Sequence, residues 1–545
     1  MAANGSSSTP TDATHAEQAK AKAKPWPRAA PRRTALQRTV VDAPPQLPPR
    51  KPQNRCMHAS SVPASTRHQT VILGAGMSGL CMAAQLKRAG QHDFVILEKS
   101  AGLGGTWWDN RYPGAHVDVP SPLYSFSFAP NPKWTRRFAA AAEIRAYMQG
   151  VAARFGVNAH LRLGQTVLDA RFDEATGRWR ICTAQGSVFE ARFFVCSTGP
   201  LSVPRWPDIP GIDSFAGKKL HSAAWDGEVD LKGQRVALIG TGSTAAQLLA
   251  PLVQSAAAVT LFQRTANWVL PRIDRPYGAV DRALAPLPPY SAAVRAFWYH
   301  LLEWGRRGFD DGTLARRAML RTAETHLRRQ VPDESLRRRL RPTYALGCKR
   351  IIYANDYYPA LQQPNVALVT ETIAGIGAGG VVTADGQHHQ ADVLVCATGF
   401  DVQHALSGVT ITGRGGKTRA DAWADGPEAR LGLTVAGFPN LFLMLGPNTA
   451  TGHTSTLLFI EPGVRWALQA MQQVQQRGAR SIDLKPAVMQ AFNNALQTRL
   501  KGSVWSQCRS WYRADNGRNI AIWPGFTGEY RRAVAAQDWA DFEFA

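Results

Sequence analysis

Two glycine-rich turns carry the most legible chemistry in the chain, GAGMSG at residues 74–79 and GTGSTA at 240–245. Each follows an apolar run that reads as a strand (TVILGAG, RVALIG) and opens a helix, the arrangement that receives a dinucleotide pyrophosphate. Gly74 permits the tight turn, Gly76 admits phosphate to the backbone, and Gly79 lets helix pack on strand. The phosphates then rest on the helix N-terminus, where unpaired N–H groups favour an anion. In the second turn Gly240 and Gly242 keep the first two places and Ala245 takes the third, a replacement the pattern allows. Glu98 ends the following strand 19 residues after Gly79, placed to accept ribose hydroxyls. The same count from Ala245 reaches Arg264, between Gln263 and Thr265, which suits a 2′-phosphate through charge-assisted hydrogen bonds. The first site therefore reads as FAD-binding and the second as NADPH- rather than NADH-binding. GGTWWDNRYPGAHVD (104–118) sets three aromatics and Asp118 among paired glycines and a Pro-Gly, suited to a flat ring system; GCKRIIYANDYYPAL (347–361) supplies the cation pair Lys349–Arg350.

Positioning these residues takes an α/β fold with two dinucleotide-binding, Rossmann-like domains and a helical insertion in the second. Residues 70–205 are expected to form the first part of the FAD domain, including a β-meander from GRWRICTA and FEARFFVCSTG. STGPLSVPRWPDIPG turns the chain into the NADP domain, 206–274. Residues 275–345 show apolar positions at helical spacing among arginine clusters and are the insertion, with Trp298 and Trp304 expected in its core. The NADP domain resumes over 346–390. From 391 to 545 the chain is expected back in the FAD domain, with Gly446–Pro447–Asn448 beside the flavin, a helix near 458–477 and an aromatic C-terminal lid.

Between the two turns lies FAGKKLHSAAWD, residues 215–226. Alone it would read as a loop. It matches F-x-G-x-x-x-H-x-x-x-W-[PD] at every fixed position, and the chain from about residue 69 onward resembles the type I Baeyer–Villiger monooxygenases. The resemblance implies an FAD- and NADPH-dependent enzyme that uses O2 to insert oxygen beside a ketone carbonyl, through a C4a-peroxyflavin, giving an ester or lactone. It implies Arg350 and Asp118 as the catalytic pair, with Asp118 near the reacting face and holding Arg350. It implies FAD contacts at Ser78, Gly105, Thr106 and Trp107 and, by the pattern of two-dinucleotide flavoproteins, adenine contact at the Val167 backbone. NADP contacts are implied at Thr241, Ser243, Thr244, Gln247 and Lys349, and His221 and Trp225 are expected to couple domain motion to cofactor binding. The motif style resembles members acting on aryl and larger cyclic ketones. Flavin monooxygenases that oxygenate N or S share the layout and the first part of the motif but lack the ending found here as Trp225–Asp226; a non-oxygenating reductase or binding protein is a third option.

Composition bounds the rest. Over 545 residues the net charge is +23, which raises nucleic acid or an anionic membrane as a partner. The charge is split, however: residues 1–70 and 291–350 each carry a net +8, the first in an expected disordered extension and the second on expected helices, so no nucleic-acid role is expected. No apolar run approaches 18 residues, so no membrane span is expected. Seven cysteines without a CxxC pair argue against a metal site, a disulfide framework and a redox-active dithiol, and point to a reducing cytoplasm. Residues 1–69 hold 10 of the 35 prolines and are expected to be disordered. A transit peptide and a true start at Met57 both fit that extension, whereas a secretory signal lacks its apolar segment. Nothing in the pattern sets an oligomeric state.

Overall fold

A computed structural model of the chain describes residues 65–545. The expected disorder and processing of the N-terminal extension thus lie outside the described residues, except at its end. There β1 (Thr66–Leu73) begins at Thr66, earlier than the expected domain edge.

β1 leads into α1 (Met77–Arg88) and β2 (Phe94–Leu97), followed by β3 (Leu161–Arg162), β4 (Val167–Asp173), β5 (Arg178–Thr183) and β6 (Val188–Cys196). The apolar runs of β1 and β2 are buried at every position from Thr70 and Phe94 onward, as parallel strands covered on both faces require. The first sheet has β1 between β2 and β6, all parallel, while β4, β5 and β6 form the expected antiparallel meander.

The second sheet takes β7 (Lys218–His221), β8 (Arg235–Ile239), then α2 (Ser243–Ser255) and β9 (Ala258–Phe262). α2 buries Ala245, Ala246, Leu248, Leu249 and Leu252, the spacing of one helical face. Helices α3 (Pro288–Gly305) and α4 (Leu314–Gln330) belong to the insertion. Trp298 is core there, as expected, but Trp304 is 54% exposed because it lies on the outer side of α3 with Phe297 and Leu301.

β10 (Val366–Val369) and β11 (Val393–Cys396) complete a parallel sheet ordered β10-β9-β8-β11-β7. The placement of β11 corrects the sequence reading, which returned the chain to the first domain at 391: the buried run VLVC pairs with both β7 and β8. Only after it does the chain rejoin the first sheet, with β12 (Thr410–Thr412) beside β4 and β13 (Leu441–Leu443) beside β6. Helix α5 (Leu457–Gln476) then packs on α1.

The fingerprint stretch is also more than a loop, because Lys218–His221 forms the edge strand β7. Phe215 is buried with Ala237, Phe262 and Leu394 in the core of the second sheet. His221 is buried where the two connections between sheets meet. There Pro204 bridges Phe400, the Arg205 N–H donates to Gly399 O at 2.9 Å, and the Thr398 hydroxyl donates to Arg205 O at 2.6 Å. The Ala223 N–H donates to His221 Nδ1 at 3.1 Å, and His221 Nε2 lies 3.5 Å from Thr398 Oγ1.

Gly217 has a simpler reason. A Cβ there would fall 2.1 Å from Asp392 O and 2.8 Å from the Phe215 ring. Gly217→Ala is expected to destabilise the protein by about 1–3 kcal/mol through overpacking. Thermal unfolding of the FAD-loaded variant checks this, and an unchanged midpoint would refute the packing explanation.

Candidate active site

The first glycine turn is built as the sequence suggested. Gly79 sits so close to the strand that a Cβ would meet Gly74 O at 1.9 Å, and Gly105 would place one 2.8 Å from Gly76 Cα. The GGTWW segment therefore lies directly against the turn. Gly76 caps α1 in an extended conformation with no side-chain cap, leaving the first-turn N–H groups for an anion. Ser78 lies buried in that first turn. Glu98 is buried and accepts from the Ala75 N–H at 2.7 Å and the Ser100 N–H at 2.8 Å, so the expected ribose acceptor also braces the turn. Thr106 is exposed at the start of a short helix, while Trp107 is buried and its indole N–H donates to the Tyr124 hydroxyl at 3.0 Å. Val167 opens β4, where it pairs with Thr183. The buried Ser197 hydroxyl, next to Gly74, has no partner among the described residues. Unfilled backbone donors, a glycine-lined approach and an unpartnered hydroxyl all fit a bound dinucleotide.

At the second turn, Gly242 caps α2 without a side-chain cap, and a Cβ on it would meet only open space. Gly240 faces Ala397 O, and Ser243 and Thr244 form the first turn of α2. The Thr241 hydroxyl donates to Thr265 O at 2.8 Å, and the Asn267 amide donates to Thr241 O at 2.7 Å. Asn267 Oδ1 accepts from the Tyr344 hydroxyl at 2.9 Å, and Lys349 Nζ stands 4.7 Å from the Tyr344 ring centre. Burial, then the charge of Arg264, pushes the Lys349 ammonium below its ordinary range. Residues 241, 264, 265, 267, 344 and 349 thus form one network with two mutually repelling cations, a fit for a phosphate dianion. Gln247 stands apart from this: its amide bonds the Tyr112 hydroxyl at 2.8 Å and His116 O at 3.1 Å, joining α2 to the 104–118 segment.

Arg350 and Asp118, 232 residues apart, meet in a two-pronged ion pair with both N···O distances 2.8 Å. Burial alone would push the Asp118 carboxyl up; the charge and bonds of Arg350 outweigh it and hold the carboxyl below its usual range. Arg350 is correspondingly raised, chiefly by the Asp118 charge. Arg350 Nη1 also donates to Thr451 O at 3.1 Å.

Behind Thr451 lies a cluster the sequence reading did not single out. The Thr451 hydroxyl meets His453 Nδ1 at 3.1 Å, His453 Nε2 meets Glu303 on α3 at 3.1 Å, and Glu303 accepts the Thr527 N–H at 3.0 Å. Neither His453 nor Glu303, one acid on an insertion helix, gave a signal in the sequence. The cysteines differ from expectation too. Cys348 and Cys508 form a disulfide across 160 residues, without any spacing signature, while Cys81, Cys182, Cys196 and Cys396 are buried.

A pocket open to solvent adjoins the C-terminal ends of β6 and β13. Gly446, Pro447, Leu406, Trp423 and Trp511 line it. Ligands in open α/β sheets bind at such strand ends.

Comparison with known proteins agrees with this arrangement. Residues 71–277 match the family described as pyridine nucleotide-disulphide oxidoreductase. A Baeyer–Villiger monooxygenase of Streptomyces coelicolor is 41% identical over 87% of this chain and 92% of its own length. One of Pseudomonas aeruginosa is 40% identical over 87% and 91%. Among solved structures, cyclohexanone monooxygenase from Rhodococcus bound to NADP+ superposes with TM-score 0.80 at 29% identity, covering 88% of this chain and 99% of that one. Oxidised steroid monooxygenase bound to NADP gives 0.78 at 31%, with the same coverage.

The His116 ring, beside Asp118, gives the site an acid-sensitive edge. It contacts Gly114 O at 2.7 Å and also meets Arg272. Burial, then the Arg272 charge, lowers its pKa from 6.5 to about 4, against smaller upward pulls from Asp118 and Asp356. Between pH 6.5 and 4 the unfolded chain therefore takes up a proton that the folded one refuses, so stability falls as pH drops, by at most about 3 kcal/mol from this group. Melting temperatures across that window should fall for the wild type and less steeply for His116→Gln; parallel curves would show that His116 contributes nothing.

Proposed function

The chain belongs to the Baeyer–Villiger monooxygenases, FAD- and NADPH-dependent enzymes that insert an oxygen atom beside a ketone carbonyl, and from that premise we propose how its residues divide the work. The N- or S-oxygenating alternative is not favoured by these relatives. Residues 74–79, Glu98 and 105–107 hold FAD, while 240–244, Arg264, Thr265 and Lys349 hold NADPH. Bound FAD would supply the redox chemistry, with hydride from NADPH and activation of dioxygen. The protein supplies position and charge.

The observation that carries the assignment is the Arg350–Asp118 pair. Negative charge develops on the substrate carbonyl oxygen as oxygen is inserted, and a fixed guanidinium stabilises it. Asp118 occupies Nε and Nη2 and fixes the guanidinium plane, and Thr451 O takes one Nη1 hydrogen. With its pKa raised, Arg350 keeps its protons and cannot quench an oxygen nucleophile by protonating it. The apolar cavity with Trp423 and Trp511 supports an aryl or larger cyclic ketone as substrate. The need for NADPH, regenerated inside cells, supports a cytoplasmic place of work. Among the described residues no helix is long and apolar enough to cross a membrane.

Purified FAD-loaded enzyme should oxidise NADPH in response to aryl and cyclic ketones and yield esters or lactones heavier by one oxygen. Sulfide oxygenation with ketones untouched would overturn the substrate class. Arg350→Ala should retain FAD but lose ester formation by on the order of 10²–10³-fold, the scale of one oxyanion-type donor. An undiminished ester yield would remove Arg350 from its role.

Arg264→Ala and Lys349→Ala should each raise the NADPH KM about tenfold or more, as expected for losing a hydrogen bond to a charged group. The NADH KM should stay within experimental error. Equal losses with both nucleotides would place the two cations outside the 2′-phosphate site.

A further inference from the structure

Cys348 is fully buried, immediately before Lys349 and two residues before Arg350. Its partner Cys508 belongs to the C-terminal segment, with Cα atoms 6.1 Å apart, a separation a disulfide spans readily. That segment brings several side chains to the site. Trp505 is buried, stacks on Phe309 at 5.6 Å and lies under the Arg306 guanidinium. Trp511 borders the cavity. Tyr512 is buried close enough to Arg350 for their charges to interact, its hydroxyl pushed up to about 12 mainly by burial.

Hydrogen bonds hold the segment to its own surroundings instead. The Gln507 amide donates to Asp311 at 3.1 Å, the Ser506 hydroxyl donates to Leu500 O at 2.6 Å, and Arg513 donates to Ser506 O at 3.1 Å. Among the described residues no hydrogen bond joins 504–513 to 344–353. Among the described residues the disulfide is the covalent tie between the arginine's loop and the segment that packs beside it.

We propose that the Cys348–Cys508 disulfide is a redox-controlled positioning element for Arg350. Closed, it locks the C-terminal segment onto the Arg350 loop; opened, it releases that segment and uncouples oxygen insertion from NADPH oxidation. The inference rests on the role assigned to Arg350 above. Opening proceeds by exchange with a dithiol reductant. One of its thiolates attacks the less buried sulfur, that of Cys508, and the S–S bond breaks. The second reductant thiol resolves the mixed disulfide. Two electrons and two protons pass to Cys348 and Cys508, and the reductant leaves as its own cyclic disulfide. In a reducing compartment the bridge thus reports the dithiol balance, which also reconciles a disulfide with a cytoplasmic enzyme.

The test uses full-length, FAD-loaded enzyme oxidised with glutathione disulfide, then treated with dithiothreitol or left untreated. Peptide mass spectra should show the Cys348–Cys508 cross-link only in the oxidised sample. Ester formed per NADPH consumed should fall by on the order of 10²-fold on reduction, the scale of a 1 Å misplacement. Hydrogen peroxide should rise to match, FAD content should not change, and reoxidation should restore coupling. Cys508→Ser should behave as the reduced enzyme and ignore dithiothreitol; should it fail to fold, the wild-type cycle of reduction and reoxidation stands alone. Absence of the cross-link, coupling indifferent to reduction, or activity lost only in step with FAD would overturn the inference. Oxidised enzyme that forms the cross-link yet makes no ester would overturn the oxygenation reading and this inference with it, whereas ester formation indifferent to dithiothreitol overturns this inference alone.

Discussion

The constraint on which the rest depends is the ion pair between Asp118 and Arg350. A half-buried carboxylate and guanidinium are costly to desolvate, and neither is tolerable without the other. One prong from Nε and one from Nη2 satisfy the carboxylate in its own plane. The two residues reach the pair from different halves of the fold. Asp118 ends the GGTWW segment that lies on the first glycine turn, and Arg350 follows the insertion in the second half. The pair can form only if both halves are folded and correctly apposed. Gln247 enforces the apposition from one side, because its amide grips Tyr112 and His116 while its helix carries the second glycine turn.

Apposition must still permit movement, since two dinucleotides have to reach one reacting centre. The two connections between the sheets run side by side, Pro204 against Phe400, with Asp401 donating back to Val203 O at 2.9 Å. His221, at the end of β7, touches both through Thr398 and the Trp206 ring, 5.3 Å away. His221 is thereby fixed where the two connections cross. The fingerprint thus has three distinct physical parts: Phe215 for the core, Gly217 for close approach to Asp392, and His221 for the crossing.

Local pattern was enough for everything set by local geometry. The two strand-turn-helix units, the meander and the insertion helices follow from periodicity and glycine placement, and each stands where the pattern put it. Resemblance added the pairing of Arg350 with Asp118, which no spacing could reveal across 232 residues. What failed was of another kind. The run VLVC at 393–396 is as apolar as a strand of either sheet, so its membership depends on which neighbours have room for it. Trp304 and Trp298 look alike in a helical pattern, and packing alone separates them. Cys348 and Cys508 carry no spacing signature, and Glu303 is one acid on an exposed-looking helix; their partners are set by the tertiary fold.

Glu303 also shows why the insertion is part of the site. Burial raises its carboxyl, but hydrogen bonds from His453 and Thr527 overcome this and lower its pKa to about 2, so it is an anion at any working pH. A carboxylate only accepts, so His453 must donate through Nε2. Burial lowers the pKa of His453 despite the opposing pull of Glu303, leaving the ring neutral, with Nδ1 as an acceptor. The Thr451 hydroxyl therefore donates to Nδ1, which fixes that residue in the place where its carbonyl accepts from Arg350. Each donor and acceptor in the chain Glu303, His453, Thr451, Arg350 and Asp118 is thereby determined by the two anions at its ends. The guanidinium is held from the first domain by charge and from the insertion by the orientation of a single carbonyl. A lysine at position 350 would offer a single ammonium where the two parallel prongs to Asp118 require a planar fork.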